Sequence, residues 1–438
     1  MILSIDVGTT SLKLGVFSRD LHLLATSGSP YTLDTPDPST VQIDPEKWWA
    51  AFIESITQLA YPLSGIEIIT LSVNSPGFSV MDRQGNPLLP SFTHLDRRAY
   101  PQSIRILEAI GDEILLAVTG NIPNPGASSA ANILWIRDNY PEIYRRVYMY
   151  GHTNTFLAKR LTGNWGVDPS NICMSNVFNT ATCDAYVADI AEELEIDLTK
   201  LPPVLHSDEK VGELSKAVAS LTALPQGTPV LIGANDATCA AVSADIIHNG
   251  DIMNVTGTSE MVVVCMDQPL ASPHYNLKNH AVRDRWNSMY ALNTGGIAIE
   301  WAYEQFYRDM SKDDFYGELI PRLMTENRKN IPRFIPFLTG NRYSLRNRTA
   351  SFSGVTLATT RDDLLLGVIS GVASKVKEYL SVMERKIDLK DTVNVTGGGA
   401  PVLLACKKRM MKGFKFNLVE SGSMLGAAKL ANKYLGHS

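Results

Sequence analysis

Short apolar runs alternate along the chain with longer stretches of helical periodicity. It opens with "ILSIDV" at 2–7 and "LKLGVF" at 12–17, separated by Gly8-Thr9-Thr10-Ser11. Two β-rich runs about a small-residue turn predict a β-hairpin. "DPEKWWAAFIESITQLA" at 44–60 carries apolar residues at helical spacing. Asp44 is placed to cap that helix and Pro45 suits its first position. Trp48 and Trp49 are expected to staple it to the core. "IEIITLSV" at 66–73 predicts a strand, stopped by Asn74-Ser75-Pro76-Gly77. There follow a hairpin turning at Gly85-Asn86-Pro87, a helix ending at Gly163, a helix edge over 212–221, a buried strand "TPVLIGAND" at 228–236 and a small-residue helix "ATCAAVSADII". Then the pattern starts again. A strand at 251–256 meets Thr-Gly-Thr-Ser and a strand at 260–265; helices are predicted near 297–310, 361–385 and 402–412. A strand at 392–396 runs into Gly397-Gly398-Gly399, and "ESGSMLGAAKLANKYLG" closes the chain as a turn feeding a helix.

Strands alternating with helices predict an α/β fold. The recurrence of a strand, a small-residue turn and a strand suggests a duplicated domain. At 438 residues the chain exceeds what one hydrophobic core usually supports, so two domains of about 200 residues each are expected, 1–246 and 247–438.

Composition narrows the function. A net charge of −5 without a long Lys/Arg run offers no field for nucleic acid. No apolar stretch is long enough to span a bilayer and the start has no signal-peptide pattern, so a cytoplasmic protein without a membrane partner is expected. The five cysteines, Cys173, Cys183, Cys239, Cys265 and Cys406, are scattered without CxxC spacing. They read as reduced thiols, neither a metal site nor a disulfide frame.

The chemistry starts at the turns. A turn between strands aims several backbone N–H groups one way, and Gly and hydroxyl residues let an anion approach, which makes a phosphate cradle. Two facing turns would hold a polyphosphate from both sides. Asp6, just before the first turn, suits Mg²⁺ carried on phosphate oxygens, and Lys13 could reach a phosphate; the other reading of Asp6 is a residue that closes a turn. Asp236, in "GANDA", ends a buried strand, where α/β proteins bind ligands. It could accept the proton of a substrate hydroxyl attacking phosphorus, or cap the following helix. The triple glycine could let a base or ribose lie on the backbone, or be a flexible turn. "THLDRRAY" at 93–100 groups His94, Asp96, Arg97 and Arg98, either a solvated charged loop or a source of hydrogen bonds to a polyol. His152 is expected to be a satisfied, partly buried imidazole.

These pieces, in this order and over nearly the whole chain, resemble the FGGY carbohydrate kinases. "DVGTTSLKLGVF" resembles the family's first phosphate motif, "QIDPEKWWAAF" its DPE-WW segment, and "RLTGNWGVDPSN" its RLTG stretch. "GANDA" is similar to the segment with the catalytic aspartate, "NVTGTSEMV" to the second phosphate motif, and "NTGGIAIEW" to the GG-W segment. "VTGGGAP" resembles the adenosine motif and "ESGSMLGAAKLA" the closing helix. The resemblance implies two ribonuclease-H-like (actin-like ATPase) domains with ATP and a sugar, polyol or sugar acid in the cleft between them. It implies Asp236 as general base, Asp6 as the Mg²⁺ residue, and Thr9, Thr10, Ser11 and Lys13 facing the transferred phosphate. Thr256, Gly257, Thr258 and Gly296 would hold the nucleotide phosphates, and Gly398, Gly399 and Ala400 would line the adenosine.

Two departures concern the substrate. Where xylulokinase-like members carry Met-His and glycerol kinases Arg-Glu, this chain has Ser75 and Pro76, which with Asp96 and Arg97 are the expected substrate contacts. The family segment GER-P-WD-ARG becomes "GNRYSLRNRTASF" at 340–352, keeping Gly340 and Arg342. Two other readings stand beside a kinase: a catalytically silent sugar- or nucleotide-binding sensor, and a general actin-like ATPase. A silent relative would be expected to lose its base or metal acid, whereas Asp6 and Asp236 are both present. The DPEKWW and RLTG segments speak against the general ATPase. The oligomer expected is a monomer or a homodimer.

Overall fold

The computed structural model describes residues 1–340, 348–397 and 400–436. The chain forms two compact units. The first comprises Met1–Ile247, Asp267–Asn287 and Ser421–Ser438; the second, His248–Met266 and Ser288–Glu420. The closing helix, expected with the second domain, therefore packs within the first unit.

In the first unit β1 (Ile2–Val7), β2 (Ser11–Phe17) and β3 (Leu23–Pro30) form an antiparallel meander. Helix α1 (Pro45–Gln58) follows, capped by the Asp44 carboxylate on Glu46 N–H. The next sheet strand, β4 (Ile68–Val73), lies parallel to β1, pairing Asp6 with Ser72. Helix α2 (Thr153–Thr162) stops at Gly163 in the left-handed region, as its sequence predicts. The short helix α3 (Pro169–Ile172) is capped by Asp168.

Residues 212–213 belong to strand β5 (Lys210–Glu213) instead of the predicted helix edge. The strand predicted at 228–236 is split into β6 (Pro229–Leu231) and β7 (Ala234–Asn235). The break is at Gly233, with φ +67°, where a Cβ would lie 1.7 Å from the Leu71 carbonyl oxygen; only glycine fits. Helix α4 (Asp236–Ser243) follows at once. The sheet order is β5-β6-β4-β1-β2-β3, with β7 paired to β4.

Period-two alternation sorts β1 and β4 between two cores. Leu3, Ile5, Val7, Ile69, Leu71 and Val73 join the core that includes Trp48, Phe52 and Phe156. Ile2 and Ile68 join Ala428 and Ala431 of the C-terminal helix (Ser423–Tyr434) on the opposite face. Asp6 and Ser72, in phase with Ile2 and Ile68, belong to that second face.

The second unit repeats the plan. Strands β8 (Ile252–Thr256) and β9 (Glu260–Met266) form an antiparallel hairpin. Then come β10 (Trp286–Leu292), α5 (Gly296–Phe306), α6 (Arg361–Glu384), β11 (Thr392–Thr396), α7 (Ala400–Met410) and β12 (Lys415–Leu418). Strand order is β10-β9-β8-β11-β12, with β8, β11 and β12 parallel. This matches β3-β2-β1-β4-β6 of the first unit, so each unit carries the same ribonuclease-H-like sheet. No helix among the described residues is long and apolar enough to cross a membrane.

Candidate active site

Three neighbouring parallel strands of the first unit, β1, β4 and β7, end at one edge of the sheet. Asp6 lies at the end of β1, Ser75-Pro76 just beyond β4, and Asp236 just beyond β7. Carboxyl ends of parallel strands are where open α/β sheets present binding groups.

Asp6 accepts a hydrogen bond from Ser72 Oγ at 2.6 Å. Ser423, the first residue of the C-terminal helix, lies near enough to lower its proton affinity, and Lys13 is its cross-strand neighbour on β2. Burial raises the carboxyl's proton affinity, while the two serines and Lys13 oppose the rise. The first turn is held from beneath. Gly8 N–H donates to Ser11 O at 2.9 Å, Asn74 Nδ2 donates to Gly8 O at 3.1 Å, and Tyr31 Oη donates to Gly8 O at 2.5 Å. Thr10 and Lys13 are exposed; Thr9 and Ser11 are half-buried. Ser75 is half-buried with a buried, unpartnered Oγ, and Pro76 is buried.

Asp236 does not cap its helix. Asn235 does so, accepting from Thr238 N–H at 2.9 Å, while Asp236 Oδ1 meets only the adjacent Ala237 N–H, at 2.7 Å. Burial first, and the Asp6 charge second, push the Asp236 carboxyl up to about 6; Ala237 N–H and Lys278 hold it down in part.

The Asp236 turn is anchored by residues that the sequence reading passed over. Ser170 Oγ accepts from Asn235 N–H at 2.9 Å, and Ser170 O accepts from Asn235 Nδ2 at 2.9 Å. Ser170 Oγ in turn donates to Asp168, a fully buried carboxylate that also accepts from Asn154 Nδ2 at 2.9 Å and Ser170 N–H at 2.9 Å. The signal was present in "VDPSN", but nothing in it says that the buried acid orients a turn sixty-odd residues further on.

Several expectations need correction. The 93–100 stretch is not a solvated loop. Asp96 is fully buried and accepts from Arg98 Nη2 at 2.6 Å, Arg98 Nε at 2.9 Å, Arg98 N–H at 3.0 Å and Val41 N–H at 3.0 Å. Its lone pairs are thereby occupied, which removes it from the substrate contacts; Arg97 is exposed. His152 is fully buried, not partly. Its Nε2 lies 3.3 Å from Ser129 Oγ, and among the described residues its Nδ1 has no hydrogen-bond partner.

In the second unit Thr256 is fully buried, and its hydroxyl accepts from Lys407 Nζ at 2.8 Å. The side chain faces the core of its unit, so only its backbone is left for a phosphate. Gly257 is half-buried and Thr258 exposed. Gly296 N–H donates to Gly257 O at 2.8 Å and Gly295 N–H to Thr258 O at 2.9 Å, tying the start of α5 to the turn. Gly397, with φ +103°, brings its α-carbon against the Thr256 carbonyl, where a Cβ would stand 2.4 Å away. Gly398, Gly399 and Arg342 lie outside the described residues; Ala400 begins α7.

Comparison with known proteins agrees with this plan. Residues 1–243 match the N-terminal domain of the FGGY family of carbohydrate kinases, and residues 252–408 match its C-terminal domain. The chain belongs to the FGGY family of carbohydrate kinases. A xylulose kinase of Staphylococcus xylosus is 24% identical over 404 residues, covering 91% of this chain and 83% of its own. A gluconokinase of Bacillus subtilis is 25% identical over 416 residues, covering 91% and 80%. Among solved structures, a gluconate kinase from Lactobacillus acidophilus superposes with TM-score 0.90 at 20% identity, covering 99% of this chain and 89% of that one.

Proposed function

We propose that the protein transfers the γ-phosphoryl group of ATP to a hydroxyl of a small sugar, polyol or sugar acid, with Asp236 as general base. The observation that carries this reading is the state of Asp236. The capping role is filled by Asn235, and the Asp236 carboxylate is left half-buried at a strand end with its pKa raised to about 6. A carboxylate so tuned is ionised at neutral pH yet a better proton acceptor than an ordinary aspartate. Asp168 and Ser170 hold the turn that carries it. Phosphoryl transfer asks for positioning and charge neutralisation more than covalent chemistry, so a rigid base is a useful contribution.

Thr9, Thr10, Ser11 and Lys13 would face the transferred phosphate. The Gly257-Thr258 turn, with Gly296 and the segment from 398 to 400, would serve the nucleotide. Asp6 suits a Mg²⁺ ion. Among the described residues no three His, Cys, Asp or Glu side chains gather as a metal cage, and a lone carboxylate beside phosphate is the donor set that Mg²⁺ takes when most of its ligands are water and phosphate oxygens. When bound, the ion would neutralise phosphate charge; Asp6, fixed by Ser72, would hold it on one side.

ADP release from MgATP, screened over ketoses, polyols and sugar acids, tests the reading. A rate that depends on one acceptor and is lost in Asp236→Ala supports it. ATP bound without turnover for any acceptor would favour a sensor.

A further inference from the structure

Lys278 is a buried charge that the proposed reaction leaves unused. It is 5% exposed and makes no hydrogen bond or ion pair among the described residues. It lies on the strand Asn276–Asn279, which packs on α3, the helix whose Ser170 anchors the Asp236 turn.

Both neighbours of Lys278 are clamped. Asn121 Oδ1 accepts from Leu277 N–H at 3.0 Å and Asn121 Nδ2 donates to Leu277 O at 2.8 Å. Asn279 Nδ2 donates to Thr180 O at 2.9 Å. Strand alternation sends Lys278 away from the side that Leu277 and Asn279 use. The groups that feel its charge are Asp236, His152 and Cys173, each of whose proton affinity it lowers. His152, pushed down to about 3 by burial and by Lys278, is a neutral imidazole with a free Nδ1. Among the described residues no carboxylate comes within ion-pair distance of Lys278.

A largely buried ammonium without a counter-ion is costly. A ligand anion would relieve that cost, and polar groups on other segments of the same unit are suited to a polyhydroxy compound. His152 Nδ1 and Ser75 Oγ are both buried without partners. They belong to adjoining segments, since Thr153 Oγ1 donates to Asn74 Oδ1 at 2.9 Å.

We propose that Lys278 binds an anionic group of the acceptor, so that the acceptor is a carboxylate-bearing polyol, a sugar acid, with its carboxylate on Lys278 and one hydroxyl at Asp236. The assignment rests on the kinase reading above and narrows it. The other anion that could answer Lys278 is the phosphoryl group in transfer, and the experiment separates the two.

Steady-state kinetics with MgATP would compare aldonates of four to six carbons with the alditols of the same configuration, for the wild type, Lys278→Met and Lys278→Arg. Aldonates should be the better acceptors of the wild type. Lys278→Met should raise KM for them about thirtyfold, the loss of one charge-assisted bond, and leave KM for alditols unchanged, while any change in kcat through the Asp236 carboxyl should be the same for both acceptor classes and smaller than the KM effect. Lys278→Arg should recover part of the loss. Neutral acceptors preferred by the wild type, or a fall in kcat for every acceptor in Lys278→Met with no aldonate-specific rise in KM, would overturn the assignment; the second result would move Lys278 to the phosphoryl group.

Calorimetric titration of aldonates into the wild type and Lys278→Met keeps the two readings apart. Aldonate binding that needs Lys278, without phosphorylation, would sink the kinase and keep the anion site. Phosphorylation of neutral acceptors with no aldonate binding would do the reverse.

Discussion

The two hairpins share a plan and differ in what they do with charge. Aligned on their turns, Asp6-Val7-Gly8-Thr9-Thr10-Ser11 lies over Asn254-Val255-Thr256-Gly257-Thr258-Ser259. In the first, the acid is held by the hydroxyl of Ser72, with Ser423 nearby and the exposed Lys13 across the strand. In the second, its place is taken by Asn254, whose Oδ1 accepts from Lys407 Nζ at 2.7 Å, and the same ammonium donates to Glu260 at 2.7 Å. Lys407 and Glu260 are both fully buried. One hairpin keeps a carboxylate near the surface of its unit without a buried cation; the other closes its charges into the core and offers backbone. Duplicated folds thus divide labour, and a motif's side chains need not point the same way in both copies.

Between the two hairpins, the larger effect on turnover should come from the acid of the first. Asp6→Asn is expected to lower turnover at least a hundredfold and to change the Mg²⁺ dependence, with the melting temperature unchanged or higher because a buried charge is removed; an unaltered Mg²⁺ titration would take Asp6 out of the metal role. The closed pair should respond in the opposite way. Lys407→Met leaves Glu260 buried and unpaired, so a stability loss of about 3–5 kcal/mol is expected from denaturant unfolding, whereas Lys407→Met with Glu260→Leu should regain most of it. If the single variant unfolds like the wild type, the pair does not have the structural role assigned to it.

pH should act through the Asp236 turn. With the Asp236 carboxyl at about 6, turnover should fall about tenfold per unit as pH drops below that value. The stability effect has the opposite sign. Between about pH 4 and 6 the folded protein holds a proton that the unfolded chain has released, so stability from this group declines as pH rises through the window. Asp236→Asn should therefore melt higher than the wild type at pH 7 and equal it near pH 4. The smallest effect is expected of Tyr31→Phe. Losing the bonds to Gly8 O and Ser11 O should cost about 1 kcal/mol and raise KM for ATP a few-fold, as a looser first turn would.

Local signals were legible in the sequence where one short stretch decides the outcome. The Asp44 cap, the Gly163 stop, both hairpins and the strand Thr392–Thr396 lie where their own residues put them. Misreadings arose where a distant contact decides. Gly233 breaks its strand because the Leu71 carbonyl crowds it. Asp96 looked solvated because its partners at Val41 and Gln42 lie over fifty residues away, through the backbone of one and the Arg98 bond of the other. Thr256 looked like a phosphate ligand because Lys407, 151 residues on, was not visible from the motif. Lys278, alone in "HYNLKNHA", carries no local mark of burial.

The central claim is that Asp236 deprotonates the acceptor, and the most direct measurement is acceptor-dependent ADP release by wild type and Asp236→Ala under saturating MgATP, with circular dichroism and ATP binding as controls. The account predicts a fall of several orders of magnitude in kcat with fold and nucleotide affinity retained. An Asp236→Ala protein that turns over near the wild-type rate would contradict it.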